Sequence, residues 1–271
     1  MIKNQRLVIL GVVSAVFLVS LFMAFSGKSQ SSRNAPPNDQ APFGRAAKEL
    51  DDAARPIVDF DSPGPVAPTE ANARRLKNTR HDRESVVVRE PYAHAGEVVR
   101  EPEWRSGQGP SDLPTDRSAV VVEGIVADSK AFLSEDKTGI YSEFTLGVSR
   151  VLKVAPGFSV NPGDMIVTER FGGRVRYPSG QVILYRLEGQ GAPIVGKRYL
   201  FFLSKADQDS YKLLTAYEIQ GQKIYALDGS RINFRGKGDS VFDKHNGEDL
   251  DSFMRKVARA INGSQGGGTQ P

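Results

Sequence analysis

The sequence predicts a mainly β fold, a small antiparallel barrel or sandwich, beginning at Ser118 and continuing to Tyr217. Two observations support this prediction. Apolar residues recur at every second position in several successive segments, which is the period of strands with one buried face. Polar turns separate these segments at the short spacing that is typical of small barrels and sandwiches.

Each predicted strand has its own signal. Gly124 interrupts the first strand, as glycines do at bulges and tight bends. Pro178, Ser179 and Gly180 are turn residues that join two strands into a predicted hairpin. Arg198–Leu203 is almost continuously apolar and is predicted to be the most buried strand. The predicted strands cover residues 119–127, 140–152, 165–177, 182–187, 198–203 and 211–217.

A further hairpin and a helix are predicted after these strands. Asp228 and Gly229 form a strong hairpin signal between residues 223–227 and 231–234. The helix has Asn246 as its candidate cap, and Asn262 and Gly263 as its end signal. Its predicted apolar face consists of Leu250, Phe253, Met254, Val257, Ala258 and Ile261. We therefore place the folded domain at residues 118–262, followed by a flexible tail at 263–271.

Residues 1–26 are predicted to be a membrane anchor or signal sequence. Residues 7–25 contain no charge, and as a helix they would be about 28 Å long, close to the ~30 Å hydrocarbon core of a bilayer. This length favours an uncleaved anchor, although Ala24 and Ser26 have the small side chains that a signal peptidase prefers. We expect the main domain to be extracytoplasmic, in the periplasm or at the cell surface, or secreted if the leader is cleaved after Ser26.

Two polar segments separate the anchor from the domain. Residues 27–84 are rich in proline and charge and are predicted to be a disordered tether, because they cannot bury enough apolar area to offset their ordering entropy. The string Val-Arg-Glu-Pro occurs twice in residues 85–117, at 88–91 and at 99–102, which predicts an extended arm. Within the tether, a basic cluster is interpreted as solvated: Arg74, Arg75, Lys77, Arg80 and Arg83.

Composition excludes several classes of site. The chain has no cysteine, so disulfides, thiolate metal sites, iron–sulfur clusters and cysteine nucleophiles are impossible. The net charge is only +4, from 36 basic and 32 acidic residues, and it does not indicate a nucleic-acid partner.

The order of the strand segments, which begins with VVVEGIVADSKAF at 120–132, resembles a group of uncharacterised exported bacterial proteins with an OB-like barrel. The residues around Gly124, Leu152 and Gly196 are also distantly similar to netrin and metalloproteinase-inhibitor modules. This resemblance implies a small antiparallel OB-like barrel with a C-terminal hairpin and helix. The chain lacks the amino-terminal cysteine with which such inhibitors grip a metal, so that mechanism is not expected here.

No constellation in the sequence points to catalysis. Residues 191–197 fit the beginning of a phosphate-binding loop, but Arg198 and a strand follow where Ser or Thr and a helix are required, so no cofactor is predicted. The histidines are His81, His94 and His245, which share no metal-ligand spacing and are expected to be solvated. Four glutamates could in principle supply a catalytic carboxylate pair, but the sequence selects no pair among them: Glu123, Glu143, Glu169 and Glu188.

The candidate binding site is a basic and aromatic patch in the predicted hairpin. Such mixtures bind ligands on OB barrels by stacking and charge. The candidate residues are Arg170, Arg174, Arg176, Tyr177, Tyr185, Arg186 and Arg198, with Phe171 and Lys197 beside them. The sequence thus predicts a non-enzymatic, membrane-tethered binding module whose partner is an envelope protein or an anionic polymer rather than a nucleic acid. The alternative is an exported hydrolase or a protease-associated, inhibitor-like domain.

Overall fold

The longest strands of the chain pair with one another in a ring. The computed structural model describes residues 49–61, 68–87, 89, 96–100, 111–206, 210–229 and 240–265. Its strands are β1 (Ile57–Asp59), β2 (Glu97–Arg100), β3 (Val120–Leu133), β4 (Ile140–Val154), β5 (Met165–Phe171), β6 (Gly173–Arg176), β7 (Val182–Leu187), β8 (Arg198–Lys205), β9 (Ser210–Gln220) and β10 (Lys223–Ala226). Its helices are α1 (residues 49–54), α2 (Pro68–Asn78) and α3 (Leu250–Gln265), with short 3-10 helices at Thr79–His81 and Val241–His245.

The ring runs in the order β3, β4, β5, β9, β8 and back to β3, and β10 is added to the free side of β9. All of these pairings are antiparallel except the one between β5 and β9, which is parallel. Side chains such as Val122, Phe144 and Phe201 fill a buried core inside the ring. The mainly β fold with an antiparallel ring and a C-terminal helix is therefore confirmed.

Gly124 lies at the predicted irregularity. The register of β3 against β4 shifts between Glu123 and Gly124, as it does at a β-bulge. A Cβ atom at position 124 would lie 2.7 Å from the carbonyl oxygen of Gly147 on β4, so the two backbones approach too closely for any other residue.

The predicted strand at 165–177 is wrong in one respect, because it is two strands in two different sheets. β5 belongs to the ring, whereas β6 pairs with β7 in a second sheet of order β1-β6-β7-β2. Gly172 separates them with a φ of 98°, a left-handed conformation that favours glycine. The turn at Gly180 joins β6 and β7 as predicted, with the amide of Gly180 donating to the carbonyl of Tyr177.

The C-terminal helix packs by the predicted apolar face. Phe253, Val257 and Ile261 are buried against β8, β9 and β10, whereas Ala258 is exposed. The cap is Asp249 rather than Asn246, since its carboxylate accepts a hydrogen bond from the amide of Ser252 at 3.1 Å. The helix also continues past its predicted end to Gln265.

The prediction of a disordered tether over 27–84 is wrong for its second half. Residues 49–61 and 68–84 form helices, a strand and turns that lie on the β-sheets. Apart from the buried Phe60 and its neighbour Val58, these contacts use mainly charge and hydrogen bonds, so the low apolar content of the segment concealed them.

Several predicted features lie outside the described residues. These are the anchor at 7–25, His94, the second half of the hairpin at 231–234, and residues 266–271. In the part of the chain that the structure describes, no helix has the length and apolarity needed to cross a bilayer.

Candidate binding face

The seven residues of the predicted basic patch do not share an exposed surface. Arg170 is buried and forms a bidentate ion pair with Asp228, with nitrogen–oxygen distances of 2.8 and 2.7 Å. Tyr177 and Tyr185 are also buried, with their hydroxyl oxygens 2.7 Å apart. Burial raises the pKa of Tyr177 well above its usual value. Arg170 thus joins β5 to the segment after β10, the two tyrosines pack in an apolar cluster between the ring and the second sheet, and none of the three side chains faces solvent.

The remaining arginines of the patch are also engaged within the chain. Arg186 is buried and ion-paired with Glu97, and Arg198 is ion-paired with Glu123. Arg174 donates to the backbone carbonyl of Arg55 at 2.7 Å. Arg176, paired with Asp59, and Arg198 are the exposed arginines of the patch, and they lie on strands of different sheets. The hairpin therefore offers no continuous basic surface, because alternation along β5, β6 and β7 sends these side chains to different places.

The most unusual surface of the molecule is the outer face of β4 and β5. Glu143 on β4 lies directly opposite Glu169 on β5 in the strand register. Like charges directly opposite each other in a sheet are destabilising, so this pair requires cations nearby. Tyr141 precedes Glu143 on the same face, and Phe132 of β3 lies next to Tyr141, with ring centroids 5.6 Å apart. We call Phe132, Tyr141, Glu143 and Glu169 the acidic face.

Arg74 of α2 lies in a well-defined site on the acidic face. Its guanidinium forms a bidentate pair with Glu143, at 2.7 and 3.0 Å, and also donates to the Tyr141 hydroxyl at 3.2 Å. The same guanidinium carbon lies 3.6 Å from the centre of the Phe132 ring. Planar stacking combined with a bidentate carboxylate suits arginine specifically, because a lysine ammonium cannot reproduce it.

The residues that follow Arg74 complete the contact. Arg80 donates to Glu169 at 2.8 Å, and Lys77 lies 3.4 Å from Glu143. The His81 ring stacks on Tyr141 with centroids 4.1 Å apart. Burial raises the pKa of Tyr141 to about 12, against the opposing effect of Arg74. Thus α2 and the 3-10 helix after it cover the acidic face with cations and a ring.

A turn next to the acidic face fixes the end of this covering segment. The amide of Arg83 donates to Asp136 in the β3–β4 turn at 2.8 Å, and the amide of Asp136 donates to Asp82 at 3.0 Å. Desolvation acts to raise the pKa of Asp136, but hydrogen bonds from Ser134, Thr138 and Arg83 together outweigh it and lower this pKa below its usual value. The covering segment, residues 68–84, is therefore held at both the helix and the turn.

Neither side of this contact was selected from the sequence. Glu143 and Glu169 appeared among four candidate glutamates, and no pair could be chosen without the register of β4 against β5. The basic cluster and His81 were interpreted as solvated, yet His81 is buried. The available signal was the spacing of Arg74, Lys77 and His81, which places three polar side chains on one side of a helix.

The histidines and carboxylates that the structure describes do not form a metal site. Within the described ranges, no group of three His, Asp or Glu side chains lies close enough to hold a metal ion. His245, predicted to be solvated, is buried between Asp112 and Glu248, at 3.0 and 2.9 Å.

No family model matches the chain, and no curated protein matches it in sequence.

Proposed function

We propose that this chain is a non-enzymatic binding module, held at a membrane by residues 7–25, with its main domain extracytoplasmic. We further propose that the ring of strands is an OB-like barrel. The strand order supports this assignment. When the five ring strands are numbered in chain order, they follow one another around the ring as first, second, third, fifth and fourth. In this assignment β4 and β5 are the second and third strands.

The proposed binding surface is the outer face of β4 and β5, not the basic hairpin suggested by the sequence. The observation that supports it is the register pair of Glu143 and Glu169 with Tyr141 beside them. OB barrels commonly bind their ligands on the face of these two strands. Beyond the covered part, the same face continues through Thr145 and Val167, which are partly exposed, to Met165, which is 59% exposed.

The paired carboxylates are also the one observation that favours the alternative, an exported hydrolase. Two carboxylates flank the scissile bond in most glycoside hydrolases. Here Arg74 and Arg80 already engage both carboxylates, and a substrate could reach them only after residues 68–81 had moved. The arrangement therefore supports binding better than turnover.

Site-specific crosslinking in intact cells tests the proposal. A photoreactive amino acid at Thr145 lies on the proposed face, and one at Val182 lies in the β6–β7 hairpin as the matched control. We expect Thr145 to capture a discrete partner, and we expect Glu169→Gln to reduce that capture at unchanged protein level. Capture at Val182 but not at Thr145 would indicate that the binding site lies in the β6–β7 hairpin and would refute the proposed face.

A further inference from the structure

The covering segment is held on the acidic face by polar contacts rather than by apolar burial. Leu76, the largest apolar side chain of α2, is 69% exposed. Its contacts with the face are ion pairs, hydrogen bonds and ring stacking, made by Arg74, Lys77, Arg80 and His81. Partly exposed ion pairs contribute about 0 to 1 kcal/mol each and weaken with salt, so a segment held in this way is exchangeable.

The acidic face itself defines what its occupant must be. With the covering segment in place, Glu143 is 9% exposed and Glu169 is 3% exposed. Buried carboxylates without cations nearby are strongly unfavourable. An anionic lipid, polymer or nucleic acid would add repulsion to this pair. The occupant must therefore be cationic.

Arginine is the cation that fits best. The Arg74 site combines the Phe132 ring, the Tyr141 hydroxyl and both oxygens of Glu143 around one planar group. Lys77, three residues further along the same helix, also reaches Glu143, and Arg80 in the 3-10 helix that follows reaches Glu169. The face therefore recognises an arginine followed by a second basic residue on one side of a helix.

We infer that the acidic face binds a helical, arginine-bearing segment of a partner polypeptide, and that residues 68–84 occupy the same site as an internal competitor. This inference rests on the proposed function and names the chemistry of the partner. An attached segment competes at an effective concentration in the millimolar range. A partner therefore binds well only when its basic segment has a higher affinity for the acidic face than residues 68–84 have, or when residues 68–84 are released.

The probe for this inference is a fluorescent synthetic peptide with the sequence of residues 68–84. It is titrated into the purified full chain in detergent at low salt, followed by fluorescence anisotropy. Arg74→Ala combined with Arg80→Ala frees the face, and Arg75→Ala, at an exposed position of the same helix, is the matched control. We expect the double variant to bind the peptide at least about tenfold more tightly than the wild-type chain or the control does.

Two further variants examine the chemistry of recognition. Adding Glu143→Gln to the double variant should remove at least about 90% of the gained affinity, and a peptide with Arg74→Lys should bind several-fold more weakly. Equal binding by the freed and wild-type chains, or a gain that Glu143→Gln leaves intact, would overturn the inference. If the double variant loses its cooperative unfolding transition, hydrogen exchange replaces the titration. Excess peptide should then accelerate exchange of residues 68–81 in the wild-type chain, and unchanged exchange would overturn the inference equally.

Failure of this inference differs from failure of the proposed function. If a partner is captured at Thr145 but the peptide does not bind, the proposed binding face is supported and the internal competitor is refuted. If the peptide binds the freed face but nothing is captured at Thr145 in cells, both the proposed function and the proposed partner are refuted.

Discussion

Two helices lie against the same ring of strands and are held there by different forces. α3 buries Phe253 and Val257 completely in an apolar core with β8, β9 and β10. In α2, no apolar side chain that the structure describes is buried, and its contacts with β4 come from Arg74, Lys77 and Asn78. Apolar burial contributes about 25 cal/mol per Å² and is insensitive to moderate salt, whereas partly exposed ion pairs contribute little each and are screened.

The difference implies different roles. A helix fixed by its apolar face is a permanent part of the domain, because its release would expose that face to water. A helix fixed by charge can be exchanged for another segment with the same charges. The contrast can be tested by removing the central contact of each interface.

The largest effect is expected from Phe253→Ala in α3. The side chain is fully buried, so its removal loses the transfer free energy and leaves a cavity, and the free energy of unfolding should fall by about 3 to 5 kcal/mol. Denaturant unfolding of the full chain in detergent measures this loss. Arg259→Ala, an exposed position of the same helix, should change stability by less than about 0.5 kcal/mol. A loss below about 1 kcal/mol for Phe253→Ala would mean that α3 is not held by its apolar face.

The next effect concerns a charge that is buried rather than exposed. Asp228 is 4% exposed, and it accepts from Arg170 and from the amide of Gly191. Asp228→Asn leaves the Arg170 guanidinium buried beside a neutral group, so unfolding should become easier by about 3 kcal/mol.

The double change Arg170→Met with Asp228→Leu removes both charges together and serves as the control. It should recover part of the loss, as replacements of buried ion pairs by apolar residues often do. If Asp228→Asn left the free energy of unfolding unchanged, the buried pair of Arg170 and Asp228 would contribute no more to stability than the partly exposed ion pairs of α2.

A smaller effect is expected from Arg74→Ala in α2. Its ion pair with Glu143 is about one-fifth exposed on the arginine side, so its loss should reduce docking of the segment by about 1 kcal/mol. Hydrogen exchange of amides 68–81 should accelerate about fivefold, while amides of α3 exchange as before. Arg75→Ala, at an exposed position of α2, is the control. Equal exchange in the two variants would show that the Arg74 site does not hold the segment.

The same contrast explains what the sequence revealed. The apolar face of α3 was predictable because Phe253, Val257 and Ile261 recur at helical spacing, and the strands of the ring were predictable from alternation. The glycine at 124, in a β-bulge, and the glycine at 180, in a turn, were equally informative. These features share one property: the residues that interact are close in the sequence or follow a period.

The parts that could not be predicted depend on contacts distant in sequence. Arg74 and Glu143 lie 69 residues apart, and Arg170 and Asp228 lie 58 apart. Nothing in the sequence shows that Arg170 turns inward to Asp228 while Glu143 faces outward, since both lie on polar-looking strands. The division of 165–177 into β5 and β6 likewise required the close approach of Gly172 to the backbone of Tyr185, where a Cβ would lie 2.5 Å from the carbonyl oxygen.

The smallest effect is expected at the charged cluster that precedes α3. Glu248 is desolvated, but hydrogen bonds from Lys256, His245 and Ser252 outweigh this and lower its pKa from 4.5 to about 2. A carboxylate with a lowered pKa stabilises the fold above the unfolded value, so this contribution is complete above about pH 4.5 and is lost as the pH falls towards about 2. Because the Glu248 side chain is 17% exposed, we expect at most about 1 kcal/mol. The measurement is the difference in unfolding free energy between the wild-type chain and Glu248→Gln, which should shrink across that pH window, with Asp251→Asn at an exposed position of α3 as the control. If this difference in unfolding free energy did not change with pH, the ionised Glu248 would not stabilise this end of α3. Apolar packing alone would then hold the helix, and its contrast with α2 would be stronger.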